Sequence, residues 1–158
     1  VEWPGRSSNR INWNGADLIL SAGHNLESLS HDLRRLGQER HVLVVGMTQK
    51  QDLSETTEPL LRSDYRIQTV VTEVHGGRTS SVPAGELSKI LSGHSEVAPM
   101  IIEEPIEAVD GASRLAIEEG CIVYVTGSIY LVGRVVGALA SREGGDLWDY
   151  LEAHPSRS

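Results

Sequence analysis

The sequence predicts an α/β domain: a mostly parallel sheet with helices on both faces, opened by a β-hairpin. Short β-branched and aliphatic runs alternate with segments of helical period, the pattern of strand–helix–strand units. Asn14-Gly15 separates two apolar stretches, a strong signal for a tight hairpin. The chain has 158 residues and 39% apolar content, enough for one buried core. Together these give a Rossmann-like arrangement. The sequence lacks Phe, so the core must rest on Val, Ile, Leu and Ala.

Residues 1–9 are rich in Pro, Gly and Ser and read as a linker, and 10–143 as the domain proper. Arg10–Trp13 and Ala16–Leu20 flank the Asn-Gly turn, with the second strand entering the sheet at Leu18–Leu20. Leu26, Leu29, Leu33 and Leu36 recur every three or four residues, which predicts a helix capped by Asn25 and stopped by Gly37. His41–Val45 is a continuous apolar strand of the kind buried on both faces. Asp52–Leu61 is a less periodic helix, and Ile67–Thr72 a third parallel strand. Pro83 in a first helical turn opens a helix through Leu91. Met100–Ile102 is a short strand, Ile106 to Gly120 spans a helix, and Ile122–Val125 is the last strand. Ser128 to Leu139 is a helix whose Gly133 and Gly137 are spaced for close packing. The stretch 144–158 reads as an acidic tail or a short helix.

The formal net charge of −8, with no block of Lys or Arg, speaks against nucleic acid or an anionic membrane as a partner. No apolar run approaches the ~20 residues of a membrane helix, and no signal peptide is visible. Cys121 is the single cysteine and reads as a small core residue; with no disulfide framework the chain is expected in the cytoplasm. No His, Asp or Glu grouping has metal-ligand spacing. His31, His41, His94 and His154 read as surface residues, and His75, Arg78 and Ser81 as part of a polar loop. The chain opens without Met inside the phrase Trp3-Pro4-Gly5-Arg6, so it is expected to be a piece of something longer.

The most informative segment is Val123 to Gly133. A β-branched run breaks at Gly127, and Ser128 then opens an amphipathic helix. Such a junction gathers backbone N–H groups and a hydroxyl at one spot, the layout that binds a carboxylate or phosphate. Similar junctions fall at Ser21–Asn25, Gly46–Asp52 and Glu73–Ser81. In a parallel sheet they share one edge, where α/β folds place their ligands. None has the pattern of a phosphate loop or a dinucleotide loop, and the only lysines are Lys50 and Lys89. A nucleotide here must be held from one side, with its triphosphate gripped elsewhere.

Trp3-Pro4-Gly5-Arg6, Ser21-Ala22-Gly23-His24-Asn25, Val45-Gly46-Met47-Thr48-Gln49-Lys50-Gln51-Asp52 and Val125-Thr126-Gly127-Ser128-Ile129-Tyr130-Leu131-Val132-Gly133 follow in order. Gly77-Arg78 and Val82 to Leu87 fit the same series. From Trp3 to about Leu139 the chain resembles the C-terminal domain of folylpolyglutamate synthase/dihydrofolate synthase, within the Mur ligase superfamily. That family joins glutamate to a folate-type acid: ATP phosphorylates the carboxylate, and the glutamate amine attacks the acyl phosphate. The resemblance implies that ATP and Mg²⁺ are held mainly by an N-terminal phosphate-loop domain absent from this sequence. It implies ATP contacts for Arg6 and Ser21, and amino-acid contacts for His24, Lys50, Ser128 and Tyr130. No residue here is given a covalent catalytic step, and the fragment alone is expected to be inactive.

Two departures stand out. The family reads Asp-Gly-Ala-His-Asn where this chain has Ser21-Ala22-Gly23-His24-Asn25, so a charge-assisted bond becomes a neutral one, roughly half as strong. The family's lysine position falls on Gln51, with Lys50 one place earlier. A ligase for a different acceptor amino acid, and a non-catalytic module that has kept the fold but lost the ATP contact, are the alternatives.

Overall fold

The computed structural model describes residues 10–49, 52–62, 64–75, 80–92 and 98–142. The predicted linker (1–9), the tail (144–158), Gly77-Arg78, His94 and His154 lie outside the described residues. Among the described residues no helix is long and apolar enough to cross a membrane.

Strands β1 (Arg10–Trp13) and β2 (Ala16–Leu20) form the opening hairpin. Asn14 and Gly15 have φ of 52° and 95°, the positive pair that an Asn-Gly turn supplies. Then follow α1 (Leu26–Leu36), β3 (His41–Val45), α2 (Leu53–Leu61), β4 (Arg66–Val71), α3 (Ala84–Ser92), β5 (Met100–Ile101), α4 (Pro105–Glu119), β6 (Ile122–Thr126) and α5 (Ile129–Arg142). Among the described residues the six-stranded sheet runs β1-β2-β6-β3-β4-β5, antiparallel at the β1–β2 pair and parallel at the others.

Alternation along the strands divides the core in two. Leu18, Leu20, Val42, Val44, Val70, Val123 and Val125 point to the face covered by α4 and α5. Leu43, Val45 and Val71 point to the other face, under α1, α2 and α3. All five residues of β3 and of β6 are buried, as a strand covered on both sides requires. Each aliphatic side chain removed from water contributes about 1.5–3 kcal/mol before chain entropy is counted, so these two central strands anchor the domain.

Several helix ends differ from the sequence reading. Pro83 stands just ahead of α3, and its carbonyl accepts from Leu87 N at 3.0 Å. The first N–H of α3, on Ala84, is instead bonded at 2.9 Å to the carboxylate of Glu73 from the preceding loop. Pro105 rather than Ile106 opens α4, with Glu104 as its cap. Strand β5 is only two residues long and exposed, because it lies at the sheet edge.

Two expectations fail outright. Gly133 and Gly137 do not mediate close packing: a Cβ on either would meet nothing within 4 Å among the described residues. The buried stripe of α5 is Leu131, Val132, Val135, Val136 and Leu139, which turns both glycines away from the sheet. His41 is not a surface residue. It is 1% exposed, its ring meets Tyr124 edge-on at 5.9 Å, and its Nδ1 donates to Glu39 O at 2.9 Å. Cys121 packs half-buried against the core, and burial pushes its thiol pKa up, so it stays protonated and unreactive.

Candidate functional site

The functional rim is set by which face each helix takes when it leaves the sheet. β2 and β6 are neighbours, yet α1 departs from β2 to one face and α5 departs from β6 to the other. The chain therefore divides above the strand ends at this point, α1 running to one side of the sheet and α5 to the other. That is the topological switch point at which open α/β sheets bind ligands. Insertion of β6 between β2 and β3 creates it, and brings together residues a hundred positions apart in the chain.

The two loops are fastened to each other by backbone bonds. Ser21 N donates to Val125 O at 2.9 Å, continuing the β2–β6 ladder, and Gly127 N donates to Gly23 O at 3.2 Å. His24 and Ser128 thus follow two residues that are hydrogen-bonded to one another. On the far side of β6, Gly46 N donates to Thr126 O at 3.4 Å, which brings the end of β3 to the same rim. Only glycine fits at position 127. Its φ is +112°, and a Cβ would lie 2.4 Å from Gly46 O.

Both helices begin at this rim with built caps. Asn25 caps α1: its Oδ1 accepts from Ser28 N at 2.8 Å while Ser28 Oγ accepts from Asn25 N at 3.3 Å. This reciprocal arrangement is worth about 1 kcal/mol to the helix. Ser128 caps α5, its Oγ accepting from Tyr130 N at 3.1 Å. Both helix N-termini therefore start from this rim, and a helix N-terminus favours an anionic group.

The predicted site residues take different stations. His24 is exposed on the rim, and its Nδ1 lies 3.3 Å from Ala22 O. Tyr130 is 42% exposed in the first turn of α5, beside the more exposed Ile129. Ser128 is 4% exposed, held in by its capping role. Ser21 is buried, with its Oγ donating to Asp32 Oδ2 and accepting from Gly23 N at 3.2 Å. The structure brings Ser21, His24, Ser128 and Tyr130 to one edge. Arg6 and Lys50 lie outside the described residues.

Sequence reasoning missed the polar group beneath the rim. Tyr124, on β6, is fully buried beside Ser21, Thr126 and Asp32, and burial, followed by the charge of Asp32, pushes its phenol pKa far up. Ser21 and Thr126 oppose that shift, but neither bond to the phenol oxygen is of full geometry. The phenol therefore stays protonated throughout the ordinary pH range. Among the described residues no group of three or more His, Cys, Asp or Glu could hold a metal ion.

No protein-family model matches the sequence, and no curated protein sequence matches it significantly. Solved structures do match the fold over nearly all of the chain. The likeness is to folylpolyglutamate synthase. The bifunctional folylpolyglutamate synthase/dihydrofolate synthase of Yersinia pestis, solved with AMPPNP and a Mn ion, is 25% identical with a TM-score of 0.66. The match covers 87% of this chain and 32% of that one. The Thermotoga maritima folylpolyglutamate synthase is 22% identical with a TM-score of 0.73, covering 94% and 33% of the two chains. The Mycobacterium tuberculosis enzyme, solved with ADP and AMPPCP, is 20% identical with a TM-score of 0.74, covering 92% and 33%. The chain thus spans about a third of the length of these proteins. At their lower identity, the last two speak for the fold alone. The α/β class, mostly parallel sheet and opening hairpin read from the sequence are those the structure shows.

Proposed function

We propose that this chain is the C-terminal domain of an ATP-dependent, ADP-forming amide ligase that adds glutamate to a folate-type acid. The observation that carries the reading is the Gly127 N–H bond to Gly23 O, which joins the His24 loop and the Ser128 helix start at one rim. At this rim the first turn of α5 and the imidazole of His24 receive the carboxylates of glutamate, with Tyr130 alongside. On this reading Arg6 and Ser21 serve the nucleotide, and Lys50 supplies a cation toward the amino acid. ATP brings Mg²⁺ with it. Both are held mainly by a phosphate-loop domain elsewhere in the protein.

In such a ligase the folate carboxylate attacks the terminal phosphorus of ATP, releasing ADP. The glutamate amine then displaces phosphate from the acyl phosphate. This domain contributes orientation and fixed dipoles rather than a covalent step. Holding the amine against the acyl phosphate converts a bimolecular attack into one within a single complex, and closure over the nucleotide keeps water away from the mixed anhydride. On this reading the 158-residue fragment alone has no turnover, and a cytoplasmic setting suits its single cysteine.

The test is ADP release by the full-length protein with ATP, glutamate and a folate-type acid. The proposal expects ADP only when all three are present, and its loss in His24→Ala. ADP formed with another amino acid in place of glutamate would move the protein to a different Mur-type ligase. The hydroxyl of Ser21 is buried and already engaged, which favours one second reading: a binding module that takes up nucleotide and forms no ADP.

A further inference from the structure

Helix α1 does more than open at the rim. Asp32 lies three residues beyond the buried Leu29, and its carboxylate reaches under the loop that follows β2. There it accepts a hydrogen bond from Ser21 Oγ. The same Oγ accepts from Gly23 N at 3.2 Å, and Gly23 O accepts from Gly127 N at 3.2 Å. A carboxylate on a helix, a hydroxyl at a strand end and two backbone amides on neighbouring loops form one continuous relay. It ends where Ser128 begins α5.

Gly23 belongs to the same arrangement. A Cβ at this position would lie 2.9 Å from Asp32 Oδ2, 3.1 Å from Leu29 Cδ2 and 3.3 Å from Ser21 Oγ. No positive φ calls for glycine here; the carboxylate does. Serine at 21, glycine at 23 and aspartate at 32 are thus mutually dependent choices. A longer acidic side chain at 21 would bring a second negative charge against Asp32, and a methyl group at 23 would displace its carboxylate.

We propose that Asp32 is a positioning residue of the rim: acting through Ser21, it sets the Ala22–His24 loop against Gly127. In this chain the carboxylate beneath the rim therefore comes from α1 rather than from the end of β2. Asp32 need not touch a ligand. It determines where His24 stands relative to the start of α5, and its consequence for substrate rests on the glutamate reading proposed above.

The experiment compares Asp32→Ala and Asp32→Asn in the full-length protein by amide-resolved hydrogen exchange and by steady-state kinetics. In Asp32→Ala, exchange at Gly23 and Gly127 should rise at least tenfold, while the β3 amides stay within about twofold. KM for glutamate should rise at least fivefold with kcat within about twofold. Asp32→Asn keeps an amide oxygen that accepts the Ser21 hydroxyl, and should hold both readouts within about threefold of the parent. Unchanged exchange at Gly23 and Gly127 overturns the proposal. Faster exchange with an unchanged KM for glutamate supports the relay, and overturns instead the placement of glutamate at His24. If Asp32→Ala unfolds the domain, so that the β3 amides also accelerate, Ser21→Ala breaks the same relay without disturbing α1. A tenfold rise at the two glycines then supports the proposal, and no rise overturns it.

Discussion

Replacing Gly127 with alanine probes the joint on which the rim depends. Two costs add. An alanine held at φ +112° occupies a region that L-residues avoid, for about 1–3 kcal/mol. Its methyl group would also lie 2.4 Å from Gly46 O, a backbone atom that cannot rotate away. The end of β3 must therefore shift, and forced repacking of this kind costs about 1–3 kcal/mol more. The total of about 2–6 kcal/mol is a large fraction of the 5–15 kcal/mol that stabilises an ordinary domain. With a urea m-value of about 2 kcal/mol/M, the unfolding midpoint should fall by about 1–3 M, read by circular dichroism. A shift below about 0.3 M would refute the reasoning, because it would mean that the β6 and β3 ends are not in contact as described.

Other outcomes follow from the same structure. Gly133→Ala replaces an exposed helical glycine whose Cβ meets nothing among the described residues, and should stabilise by about 0.5–1 kcal/mol, raising the thermal midpoint by a few degrees. Asn25→Ala removes the acceptor for Ser28 N and should cost about 1 kcal/mol, measured by urea titration. His41 gives the domain an acid sensitivity. Burial is the main cause that lowers its folded pKa below the ordinary 6.5, so the unfolded chain takes up a proton before the folded one does. Stability is unaffected above about pH 6.5 and falls as the pH drops below it. His41→Gln should flatten the dependence of the urea midpoint between pH 7 and pH 5; an unchanged slope would assign it to other groups.

The strands were legible because each is a bounded apolar run, and the hairpin because Asn14-Gly15 is chemically committed to positive φ. The strand order was not. Nothing local in Ile122–Thr126 says that it inserts between β2 and β3, and that insertion is what brings the His24 and Ser128 loops together. The helix of α5 was legible, but the role of its glycines was not: spacing of four places Gly133 and Gly137 on one face without saying which face. His41 looked like a polar residue at a strand start, and its burial depends on Tyr124, some eighty positions later. Asp32 sits beside the apolar stripe of α1, so its sequence context matches a solvated helix position. Only the three-dimensional return of the helix under Ser21 shows its partner. His24 and Ser128, by contrast, were legible as candidates because each opens a helix after a strand, and parallel strands deliver such openings to one edge.

The most direct measurement is a crystal structure of the full-length protein with a non-hydrolysable ATP analogue and glutamate. The account predicts glutamate seated against His24 and the first turn of α5, with the nucleotide between this domain and the one that carries the phosphate loop. Glutamate bound away from the Gly23–Gly127 joint, with that rim open to solvent, would contradict it.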